Sequence, residues 1–155
     1  MDYQKYNVTA NSNLTIFEFI SSGIHGKIEK VIKFSETKNA EIVNLGFGDK
    51  VSCNNENFNI DDLKITDNGD RDVVLATIAN AVYLFTELYP EKYVFFSGTC
   101  EARTRLYRMV ISNNIIELNR TFHIFGIIKK VGFEKHEVVP FTLNSKFVGF
   151  LIKRK

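Results

Sequence analysis

Tryptophan is missing, proline and cysteine occur twice each, and histidine three times, in a chain of 155 residues. The cysteines, Cys53 and Cys100, form neither a CxxC pair nor a Cys/His metal spacing. No apolar run approaches the roughly 20 residues a membrane helix needs. The polar opening MDYQKYNVTANSN has no apolar signal core, so no membrane is expected and a reducing cytoplasm is the expected compartment. The excess of basic over acidic residues is small too. The net +2 does not by itself argue for nucleic acid, because neutralising many phosphates takes a clustered basic surface. The two prolines, Pro90 and Pro140, both fall beside expected element ends.

Apolar side chains are plentiful, 45% of the chain with fourteen Phe. One domain spanning 1–155 is expected, large enough to bury roughly 70% of the surface its unfolded chain exposes. Its aromatic core should need neither metal nor disulfide.

The periodicities point to an α+β fold, an antiparallel sheet of six to seven strands with two helices packed on one face. LTIFEFIS alternates with Phe17 and Phe19 inward. GKIEKVIKF puts Ile28, Ile32 and Phe34 on one face, but Lys30 and Val31 break the alternation, which reads as a bulge or an edge position. EIVNLGFG points Val43, Leu45 and Phe47 one way. Residues 49–67 read as a polar loop pinned by Phe58, Ile60, Leu63 and Ile65. A helix follows over 72–89, capped by Asp70 or Asn68, with Val74, Ile78, Val82, Phe85 and Leu88 at helical spacing. Residues 93–96 read as a strand and 100–112 as a second helix, capped by Thr99, with Ala102, Leu106, Met109 and Val110 buried. Residues 115–118, 121–130 and 146–154 read as strands. The last is apolar on both faces and therefore central. GFEKHEVVPF reads as irregular.

The densest polar constellation lies between Asp67 and Ser112. Ser97-Gly98-Thr99 joins a strand to a helix, and such a turn leaves backbone N–H groups at a positive helix end, where anions bind. Arg103, with Arg105 beside it, can add a bidentate clamp. The plainer alternative is that Thr99 caps the helix and Arg103 pairs with an acid. Asn68, Asp70, Arg71 and Asp72, with Tyr107, form the supporting network: either a turn and helix start fixing the helix pair, or orienting partners around a ligand. Cys100 stands in the first turn of the second helix, and a nucleophilic role would need a base from His25, His123 or His136. The loop acids, Asp49, Asp61, Asp62 and Asp67 among them, do not match a calcium loop, so neither metal nor cofactor is expected. Lys129, Lys130, Lys146 and the tail Lys153-Arg154-Lys155 either solvate the surface or gather with Arg103, Arg105 and Arg108. Gathered beside aromatics such as Tyr107, they would form a patch of the kind that holds single-stranded nucleic acid.

The run from Asn68 to Asp72 and the run from Gly98 to Tyr107, with Phe47-Gly48-Asp49, Asp61-Asp62 and the closing stretch Phe147 to Lys155, resemble a family of small, mostly bacterial, Bacteroidota-like proteins. That family carries an N-G-D-R-D … G-T-x-A-R-T-R-L-Y pattern and is a domain of unknown function. HEVVPF stands where its pattern has a Trp-Glu-Pro-Phe type sequence. The resemblance implies kinship of fold and a bacterial source, and no activity.

Two function classes fit these residues. One is a non-enzymatic binding module with an anion site at the turn and Arg103, its partner a nucleic acid or an acidic protein. The other is a small hydrolase or nuclease, toxin- or defence-like, using Arg and Asp with one His. A histidine beside Arg103 or Cys100 in a cleft favours the enzyme, and a basic surface favours the module.

Overall fold

The computed structural model describes residues 4–51, 59–61, 67–130 and 135–155. Cys53, Phe58, Asp62, Leu63 and Ile65, and the side chains of Ile60 and Asp61, lie outside that description. Among the described residues the chain forms nine strands and three helices, a mostly antiparallel α+β architecture. It divides into two compact units, residues 1–35 with 45–88, and 36–44 with 89–155.

The first unit is built on β2 (Ile16–Gly23), β3 (Gly26–Glu36) and β4 (Ile42–Val51), flanked by the short β1 (Thr9–Ala10) and β5 (Asn59–Asp61). Gly26, at φ +83, supplies the left-handed residue of the β2–β3 hairpin. Phe17 faces Ile32 across the pair and both are fully buried, because register partners share a sheet face. Helix α1 (Arg71–Leu88) covers that face, with Phe85 stacked on Phe34 at 4.1 Å between ring centroids. Val74, Ile78, Val82 and Phe85 are buried as their spacing predicts, while Leu88 is exposed. Thr77 and Thr86 also point inward, each returning its hydroxyl to the carbonyl four residues back.

The second unit takes the start of β4 and adds β6 (Tyr93–Phe96), β7 (Phe122–Lys129), β8 (His136–Pro140) and β9 (Gly149–Arg154), in the order β4-β6-β9-β7-β8. β4 and β6 run parallel, and the other pairs are antiparallel. β9 is central, as expected for a strand apolar on both faces. Helix α2 (Glu101–Asn113) lies on the face holding Phe96, against which Tyr107 packs edge-on at 5.8 Å. Val94 and Phe150, on the same face, are fully buried.

Four expectations are corrected. Residues 115–118 are not a strand: they open helix α3 (Ile115–Thr121), whose N-cap position is Asn114. A run as short as IIEL has no period of its own to separate helix from strand. HEVVP is not irregular but the edge strand β8, and with the short β1 and β5 it raises the strand count. The inward face of α2 holds Thr104 and Ile111, while Met109 is 46% exposed and Ala102 is exposed too. Lys30 does not bulge outward. It sits opposite Phe19 on the inner face.

Candidate functional site

The turn after β6 is built by Gly98. A Cβ there would stand 2.4 Å from the Thr104 nitrogen and 2.5 Å from the Arg103 Cβ, so only glycine lets the turn lie on the first turn of α2. Thr104 answers this approach. Its hydroxyl accepts from the Gly98 N–H at 3.0 Å and donates to the Cys100 carbonyl at 3.2 Å, which is why a threonine occupies the inward position. Thr99 does not cap the helix. Cys100 holds the N-cap position in an extended conformation and makes no side-chain capping bond. The Thr99 hydroxyl instead accepts from Arg103 Nη1 at 2.5 Å. The Ser97–Thr99 turn and Arg103 are thus brought together, at a helix start without a side-chain cap. Arg105 is exposed on the next residue but one.

Asn68 and Asp70 build something different in the first unit. Asn68 is almost fully buried; its Oδ1 accepts from the His25 N–H, and its Nδ2 donates to the Gly26 carbonyl and the Ser21 hydroxyl. Asp70 accepts from Ser21 Oγ and Tyr6 Oη, both at 2.5 Å. Neither side chain is spent on capping α1. Together they fasten the loop to the β2–β3 hairpin, where the Asn68 carbonyl accepts from the Ile24 N–H. A Cβ on Gly23 would stand 1.9 Å from that oxygen. Burial, then the bond donated to Asp70, raises the Tyr6 phenol above its ordinary 10.0. Arg71 and Asp72 are exposed on the first turn of α1. Tyr107 is half-buried against Phe96.

Lys30 was legible only as an interruption. It forms a buried ion pair with Asp49 and lies over the Phe47 ring at 5.8 Å. Both Phe47 and Asp49 of the FGD run therefore serve this charge. Nothing in the sequence signalled the bonds of Tyr6 and Ser21 to Asp70.

The basic residues do not form one cluster. The β7–β9 register pairs Phe122 with Arg154 and Ile127 with Gly149, so Lys129 and the tail Lys153-Arg154-Lys155 lie at opposite ends of the sheet. Arg108 donates to the Ser145 carbonyl at 3.1 Å, close to Lys146 in the chain. His123 pairs with Lys153 and His136 with Lys129. Cys100 is an exposed free thiol. Among the described residues no three His, Cys, Asp or Glu gather as a metal site, and no helix is long and apolar enough to cross a membrane.

The runs that carry the resemblance thus have definite places: FGD and NGD in the first unit, GTCEARTRLY in the second. A family described as of unknown function, DUF6934, matches residues 2–155. The chain belongs to this family. No curated protein and no solved structure matches it.

In this family member, formal charge is divided between the units. The second holds thirteen Lys and Arg against seven Asp and Glu, a net +6; the first holds seven against eleven, a net −4. The weak overall charge is a cancellation, and the second unit is the basic one.

Proposed function

We propose that the chain is a non-enzymatic binding module whose second unit takes an anionic partner at the Ser97–Thr99 turn and the first turn of α2. The observation that carries this reading is the charge division: a net +6 on the unit that holds the turn favours a polyanion through ordinary long-range attraction. The local geometry supports it. Arg103 is held over the turn by Thr99, and the helix start beside it has no side-chain cap, an arrangement suited to phosphate or carboxylate oxygens.

The test is the affinity of linear polyphosphate and of polyglutamate for the wild type, Arg103→Gln and Arg105→Gln. The reading expects binding that weakens with salt and a several-fold loss in each variant with the fold intact. Unchanged affinity in both folded variants contradicts it.

A further inference from the structure

We propose that the face of the second unit's sheet turned away from α2 is a stacking platform for single-stranded nucleic acid. It deepens the polyanion reading by naming a partner, and it uses other residues than the turn and Arg103.

The face follows from register. Tyr93 is opposite Lys153, which is opposite His123; Phe95 is opposite Leu151, which is opposite Phe125. Residues opposite one another share a face, and their neighbours Val94 and Phe96 belong to the side that α2 covers. Both sides are therefore aromatic, but they differ in burial. Phe122 and Phe150, on the helix side, are at most 2% exposed. Leu151 at the centre of the other face is 8% exposed, but the rings around it, Tyr93, Phe95 and Phe125, are only partly buried, and toward the β8 edge Val138 is 52% exposed and His136 is open.

Gly149 shows how the platform is laid. A Cβ there would stand 2.9 Å from Phe95 Cε2, so the Phe95 ring lies across the central strand, where any larger residue would lift it. The Tyr93 and Phe125 rings stand 6.5 Å apart. That exceeds the roughly 3.4 Å between successive bases in a stacked strand, so each ring suits one splayed base. Lys153 lies over Tyr93 at 5.7 Å.

The charges on this face are of one sign. Lys153 and Lys129 are its ionised residues, with His123 and His136 beside them. None of the described register positions on this side of β6, β7, β8 and β9 is Asp or Glu. A row of part-exposed flat rings edged by cations fits a chain that carries both flat bases and phosphates. An acidic peptide would use the cations and leave the rings idle. A duplex, with its bases already stacked, offers them no face.

The test is fluorescence anisotropy of labelled ten-nucleotide oligo-dT and oligo-U, with a duplex of the same length as control. The variants are Phe125→Leu and Phe95→Leu, which keep apolar bulk but lose the ring, and Lys153→Gln at a side chain near the sheet end. Each folded ring variant should bind single strands about ten-fold more weakly, and Lys153→Gln should flatten the salt dependence by about one phosphate contact. Duplex should bind more weakly than single strand. Wild-type affinity in the folded Leu variants, equal affinity for duplex, or an unchanged salt slope in Lys153→Gln overturns the proposal. If Arg103→Gln alone abolishes polyphosphate binding while the ring variants bind oligonucleotide normally, the platform is refuted and the turn reading stands. If the ring variants lose single-strand binding and Arg103→Gln loses nothing, the platform stands and the turn reading falls.

Discussion

Replacing Lys30 by Met should be among the most damaging single changes in the first unit. Lys30 is 1% exposed and its partner Asp49 is 6% exposed, so the pair lies out of water. Taking one partner from a buried ion pair leaves an uncompensated charge, which costs about 3–5 kcal/mol. A whole domain is stable by only about 5–15 kcal/mol, so about a fifth of that or more is at stake. Met keeps most of the stem over the Phe47 ring, which confines the loss to the charge. With a urea slope of about 1–3 kcal/mol per molar, the unfolding midpoint should fall by on the order of 2 M. Asp49→Leu should cost a similar amount, since it leaves Lys30 as the buried charge. The double variant Lys30→Met/Asp49→Leu leaves no orphaned charge and should lose less than either single variant. Urea titration of the four proteins closes the cycle. Single-variant losses below about 1 kcal/mol, as for surface pairs, or a double variant that loses the sum of the two, would refute the reasoning.

Tyr6→Phe should remove one component of the loss of stability in alkali. The folded Tyr6 phenol titrates above its ordinary 10.0, so above that pH the unfolded chain loses the proton first and rising pH favours unfolding. The wild type should lose this increment as pH rises through the folded value, and a pH series of melts on Tyr6→Phe should lack that component; identical alkaline profiles would disprove it. Phe85→Ala should cost about 3–5 kcal/mol, since Phe85 is 2% exposed and stacked on Phe34, and Leu106→Ala, at a half-buried position of α2, should cost distinctly less. Equal losses in denaturant titrations would mean the burial of α2 is misjudged.

Long periodic segments were legible and short or long-range ones were not. Helices α1 and α2 and strand β6 fall where spacing and Pro90 put them, within a residue at each end. The central place of β9 could be read from apolar residues on both its faces. α3 could not be found because four residues carry no period, and the inward face of α2 was misread because Gly98 draws a threonine, not an apolar residue, to the contact. The β4–β6 pairing is parallel and joins residues about fifty apart, whereas local reading sees only hairpins. At the candidate site, the closeness of Arg103 to the Ser97–Thr99 turn was readable from a four-residue spacing. The fastening role of Asn68 and Asp70 was not, because Tyr6 and Ser21 are remote in sequence. Net charge concealed the basic unit, since a sum over the chain cancels what the fold separates.

Polyanion binding by the second unit is the proposal on which the rest depends. Its most direct test is a titration of linear polyphosphate into isotopically labelled protein with every assigned amide followed. Shifts should be confined to residues 36–44 and 89–155, including Gly98 to Glu101, and should fade as salt rises. Amides that never move, or salt-insensitive shifts centred on the first unit, would contradict it.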